Sequence, residues 1–157
     1  MIYVGIAVGI FLLEYLIKGY IEKHKSEGNI EEKCGGLLWI RKYHNRGAFL
    51  NFMEKNRPVV AGVSIALSLL MTGLFILTLG KKGKALLKTG LALLLGGAFS
   101  NTYDRLHRKY VVDYFSIHIA KGSFRKLSTV VFNIADFCIM MGAVLLVIAS
   151  YQKNETI

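Results

Sequence analysis

At 157 residues, 54% of them hydrophobic and only one of them proline, the chain is long enough for one compact unit and short for two. Its mean hydropathy of +0.44 and its long apolar runs exclude an ordinary soluble domain. The formal net charge of +10, in so apolar a chain, fits membrane topology and anionic headgroups, and nucleic acid is not expected as a partner.

Four apolar runs predict membrane-spanning helices at about 2–17, 59–79, 85–102 and 130–151. The first has no charged side chain before its apolar stretch and no small-residue cleavage site after it, so a retained signal-anchor helix is expected, with Glu14 near one end. The connection at about 22–57 mixes Gly28, Gly35 and Gly36 with the strand-like run Leu37-Leu38-Trp39-Ile40. It predicts a small β-rich flap with Trp39, Tyr43 and Phe49 around Asn45 at headgroup depth. Pro58 suits the first turn of the second span. A lysine turn, Lys81-Lys82-Gly83-Lys84, leads to the third span, where Gly96 and Gly97 are expected to permit close helix packing. The fourth span, roughly 22 residues or about 33 Å of helix, matches a hydrocarbon core of about 30 Å. The expected architecture is an all-α membrane protein, one integral membrane domain over residues 1–157, with four transmembrane helices and a β-rich flap between the first two.

Charge leaves the orientation open. Lys and Arg number nine from Lys18 to Arg57, four about the lysine turn and six from Arg105 to Lys126, but the first of these stretches also carries five glutamates, and acids count for little in the positive-inside rule. Either orientation puts Glu14, Asn45, Asn101, Asp104, Arg105, Asp113, Asn133 and Asp136 at one membrane face. Buried carboxylates and amides need partners, and two acids at one low-dielectric site can share a proton, the arrangement by which aspartic proteases activate water. By residue type alone, Asp113 and Asp136 fit helix caps or ion pairs as well as they fit catalysis. Asp104 with Arg105 reads as structural, and Glu14 as a packing neighbour. His24, His44, His107 and His118 show no metal-ligand spacing, so neither a metal nor a cofactor is expected. Cys34 in a loop and Cys138 in a span are not expected to pair, and neither has a histidine partner that would make it a nucleophile.

Five segments together resemble bacterial signal peptidase II, the lipoprotein signal peptidase. They are Glu14 with Lys18; Asn-x-Gly-Ala-Phe at 45–49; Gly-Gly-x-x-x-Asn-x-x-Asp-Arg at 96–105; Val-Val-Asp-Tyr-Phe at 111–115; and Phe-Asn-x-Ala-Asp at 132–136. The resemblance covers nearly the whole chain. It implies an intramembrane aspartic endopeptidase that removes the signal peptide of a prolipoprotein just before its diacylglyceryl-modified cysteine. Asp113 and Asp136 would then be the catalytic pair, Asn45, Asn101, Arg105 and Asn133 the substrate-binding residues, and Glu14, Gly47, Asp104 and Ala135 supporting ones. It further implies a multi-pass protein of the bacterial cytoplasmic membrane, both termini in the cytoplasm and the site at the extracytoplasmic face, acting as a monomer among membrane lipids. The chain departs from the family pattern at Glu14, where an aspartate is usual, at Arg46, at Ser100 and Lys109, where glycines are common, and in the basic stretch 121–129. A catalytically idle protein binding lipopeptides or signal sequences in the same pocket is the alternative.

Overall fold

The computed structural model describes residues 1–48, 53–118 and 128–154. Phe49, expected beside Asn45, and the basic residues Lys121, Arg125 and Lys126 lie outside them. Four helices, α1 (Ile2–His24), α2 (Arg57–Leu79), α3 (Ala85–His107) and α4 (Ile134–Asn154), are joined by a three-stranded antiparallel sheet of β1 (Ile30–Lys33), β2 (Leu38–Asn45) and β3 (Val111–Ile117), in that order across the sheet. Among the described residues, three helices are long and apolar enough to cross a membrane, those within Ile2–His24, Glu54–Leu79 and Ile134–Gln152. Their outward faces carry exposed Leu12, Leu16, Leu69, Leu77, Val144 and Val147, which water would not tolerate in such number and which lipid would.

α3 is the centre of the bundle and packs on the other three helices. Its buried Leu91, Ala92 and Leu95 meet Ala7 of α1 and Phe75 of α2. Close approach is set by glycine. A Cβ at Gly96 would lie 2.8 Å from the Ala7 carbonyl oxygen, and one at Gly142 would lie 2.8 Å from the Leu94 nitrogen. A Cβ at Gly97 would collide with the carbonyl of Ala135, itself fully buried. Backbone-to-backbone contact of this kind is how membrane helices associate without a hydrophobic driving force.

The mostly helical bundle and a small sheet beginning in the first connection are as expected, but the sheet reaches beyond that flap. β3 comes from the third connection, not the first, and completes the sheet against β2. α1 runs past the expected 17 to His24 because Ile21 buries against Val112 and Tyr114 of β3. α4 begins at Ile134, not 130, because Phe132 exchanges backbone hydrogen bonds with Phe115 of β3 and Asn133 caps the helix. α3 ends at His107 with Arg108 as its cap, and the next residue, Lys109, has a φ of 68°, a left-handed conformation at the position where glycine normally closes a helix. The backbone there explains why glycine suits this place, and Lys109 occupies it with its N–H on the Asp104 carbonyl (3.1 Å).

Candidate functional site

The site is assembled where three chain segments meet. In the β2–β3 ladder the register slips by one residue between Ile40 and Tyr43, so that Tyr43 pairs with Asp113 and Asn45 with Val111. A bulge flips the side-chain alternation of the rest of β2, which places Asn45 on the same face as Asp113. Asn45 Nδ2 donates to Asp113 Oδ2 (3.1 Å), while its Oδ1 accepts from the Gly47 N–H (3.2 Å). Asn45 and Gly47 are thus one local turn aimed at the carboxylate.

The second carboxylate stands in the first turn of α4. Asn133 Oδ1 accepts from the Asp136 N–H (3.0 Å) and Asp136 Oδ2 accepts from the Asn133 N–H (3.2 Å), a reciprocal capping box that satisfies two helix-end donors. The Asn133 amide also donates to Asp113 Oδ1 (2.6 Å). One asparagine, fully buried, therefore touches both acids. Asn101 of α3 completes the frame, donating from Nδ2 to Asp136 Oδ1 (2.8 Å).

Behind these groups lies a buried charge network. Lys18 of α1, 1% exposed, reaches Asp104 (3.0 Å) and Glu14 (3.4 Å) and donates to Asn101 Oδ1 (2.8 Å) and Ser100 Oγ (3.0 Å). By occupying the Asn101 oxygen, Lys18 fixes which end of that amide faces Asp136. Asp104 also accepts from Arg108 (2.9 Å) and from the Val112 N–H (3.2 Å), tying the end of α3 to the start of β3 one residue before Asp113. Glu14 accepts from the Tyr114 hydroxyl (2.6 Å), which in turn accepts from the Ile134 N–H (3.1 Å). Burial, with the nearby Glu14 charge, pushes the Tyr114 hydroxyl pKa up and keeps it a donor.

Asp113 and Asp136 line a cavity of about 350 Å³ with Tyr43, Asn45, Asn101 and Arg105 on its polar side and Val131, Phe132, Ile139 and Met140 on its apolar side. Asp113 is 2% exposed, and burial, reinforced by the charge of Asp136, pushes its pKa up to about 7 against the hydrogen bonds from Asn45 and Asn133. Arg105 sits half-buried at the wall, its guanidinium donating to the carbonyls of Asn101 (3.4 Å) and Gly47 (3.3 Å), both long bonds. Chemically, two carboxyls sharing a proton beside an apolar cleft can polarise a carbonyl and take a proton from water.

The structure brings Asn45, Asn101, Arg105, Asp113, Asn133 and Asp136 to one cavity or its immediate frame, and places Glu14, Gly47, Asp104 and Ala135 around it. Sequence reasoning left Lys18, Ser100 and Tyr114 out of the site. An acid and a lysine four residues apart on an apolar helix share a face, and that spacing was the available signal for Lys18. Among the described residues, no group of three His, Cys, Asp or Glu is placed to hold a metal ion. Cys34 is exposed in the β1–β2 turn, and Cys138 is half-buried on α4.

The chain matches the sequence family described as Signal peptidase (SPase) II over residues 6–152. It is 32% identical over 146 residues to a lipoprotein signal peptidase of Caldicellulosiruptor bescii, covering 93% of this chain and 88% of that protein. It is 29% identical over 154 residues to a lipoprotein signal peptidase of Lactiplantibacillus plantarum, covering 98% and 97%. A solved structure described as a bacterial membrane enzyme, determined by the in meso method at 2.3 Å resolution, superposes with a TM-score of 0.80 at 22% identity, over 98% of this chain and 90% of the other. A second, at 1.9 Å resolution, gives 0.76 at 23% identity, over 94% and 90%.

Proposed function

Because this chain belongs to the signal peptidase II family of bacterial membrane proteases, we propose that it is an aspartic endopeptidase that removes the signal peptide of prolipoproteins before the lipid-modified cysteine. The observation that carries the aspartic assignment is Asn133, which hydrogen-bonds Asp113 through its side chain and Asp136 through its backbone N–H, and so holds both carboxyls on one cavity. One carboxyl, protonated, polarises the scissile carbonyl; the other takes a proton from the attacking water and later returns it to the leaving amine. Asp113, with its pKa near 7, is the member placed to keep its proton at neutral pH. Asn45, Asn101 and Arg105 orient the pair and the substrate backbone, and the apolar wall of Val131, Phe132, Ile139 and Met140 suits the signal-peptide side chains or acyl groups.

On this reading all four helices cross the bacterial cytoplasmic membrane as one integral domain of a monomer. α3 has its polar end at the extracytoplasmic face, the sheet lies over the cavity, and both termini are cytoplasmic. The end of α1, the sheet, the end of α3 and the start of α4 share one end of the bundle through the contacts of Tyr114 and Asp104, which supports a single site opening to one face. The departures at Glu14 and Ser100 engage Lys18 and Tyr114 rather than either carboxylate. The test is incubation of the purified chain with a synthetic precursor peptide bearing an S-diacylglyceryl cysteine. A new N-terminus at that cysteine is expected by mass spectrometry. Saturable binding of the intact peptide with no cleavage would overturn the enzyme reading in favour of an idle binding pocket.

A further inference from the structure

Arg105 lines a second cavity, of about 390 Å³, between the start of α2 and the end of α3, which it shares with Arg46, Arg57 and Lys109. Four cations line this cavity and no acid stands among the described residues that line it, so its field favours an anion. The α2 N-terminus adds to the positive field. Asn56 makes no side-chain cap bond there, and Pro58, in the first turn, has no N–H to satisfy. The remaining lining is apolar: Pro58, Val60, Ala61 and Leu106. One turn and two turns farther along α2, Val63 and Leu67 are exposed on the face of a helix apolar enough to cross the bilayer. A free inorganic anion would use only the cations. A molecule with a phosphate at the interface and hydrocarbon below it uses both halves of the cavity.

We propose that this cavity binds the phosphate of an anionic phospholipid headgroup, with the acyl chains lying along the exposed apolar face of α2. Clusters of Lys and Arg beside a membrane-crossing helix attract anionic headgroups, and arginine forks match phosphate oxygens. Since Arg105 borders both cavities, the lipid phosphate sits one side chain from the cavity of the two carboxyls.

The test is native mass spectrometry of the full chain in neutral-detergent micelles containing equal phosphatidylglycerol and phosphatidylcholine. The wild-type chain is expected to retain phosphatidylglycerol at least ten-fold over phosphatidylcholine. The double substitution Arg57→Gln with Lys109→Gln is expected to bring that ratio near one, while Lys81→Gln with Lys82→Gln, which removes the same charge at the other end of α2, leaves it in place. Equal retention of the two lipids by the wild-type chain overturns the proposal even if the double variant does not fold. So does an equal loss in the Lys81 and Lys82 control, which would reduce the effect to net charge. Displacement by equimolar soluble glycerol phosphate would make the cavity a simple phosphate site and overturn the lipid assignment. The measurement reads binding alone, so its failure leaves the peptidase reading untouched.

Discussion

Asp136 holds two offices at once, helix cap and member of the carboxyl pair, and Asn133 shares both. The economy has an electrostatic consequence at Asp113. With its pKa pushed up to about 7, folded Asp113 keeps its proton through a range in which the unfolded chain, titrating near 4, has lost it. Between those values the unfolded state binds fewer protons, so stability falls as pH rises, and the full penalty stands above about pH 7. Asp113→Asn is therefore expected to raise stability at pH 8 by an amount on the order of a few kcal/mol, and to give no gain at pH 4. Thermal unfolding in detergent across that range checks this; a gain independent of pH would contradict it. Lys18 acts in the opposite sense. Lys18→Met would leave Glu14 and Asp104 buried without their shared cation and is expected to cost about 3–5 kcal/mol, read as a lowered unfolding midpoint. An unchanged midpoint would show that the two acids do not depend on it.

At the scale of elements, helix-to-helix distance is what sets the reach of Asn101 to Asp136. Gly97 lets α3 lie against the Ala135 backbone, one residue before Asp136. Gly97→Ala is expected to push the helices apart, destabilise by about 1–3 kcal/mol and lower turnover, since overpacking must be relieved by a backbone shift. Gly73→Ala on α2, where an added Cβ meets nothing within 4 Å, should be neutral or slightly stabilising, because alanine is the better helix former. Equal effects of the two substitutions, measured by melting and turnover, would show that the crossing does not matter. The β2 bulge and the tie of His44 to Glu22 (2.7 Å) and Glu27 (2.6 Å) hold Asn45 in place from the sheet side.

Much of this was legible beforehand, for physical reasons that differ by element. The apolar runs announced the helices, and the glycine pair in α3 announced a close crossing. The residue types gathered at one face announced polar groups that had to find partners. β3 was not legible as a strand, because Val-Val-Asp-Tyr-Phe is a short apolar run whose pairing with β2 depends on residues some 70 positions earlier in the chain. The capping box was hidden for a related reason. Asn133 follows three apolar residues that read as helix but lie in or beside a β-bridge. Lys18 escaped the site because, Glu14 apart, its partners Asp104, Asn101 and Ser100 come from α3, and sequence spacing reports only neighbours on the same helix.

For the molecule as a whole, one end of a four-helix bundle is polar, buried and wired across α1, α3, β2, β3 and α4, while the outward faces of α1, α2 and α4 are bare hydrocarbon surface. The proposed peptidase activity requires Asp113 and Asp136 to act together in the hydrolysis. The direct measurement is turnover of the lipidated precursor peptide by the purified chain carrying Asp113→Asn or Asp136→Asn, each shown by melting to be folded. Each substitution is expected to reduce cleavage by at least a thousand-fold, about 4 kcal/mol of transition-state stabilisation, because an amide can neither relay nor share the proton. Near-normal turnover by either folded variant would contradict the assignment.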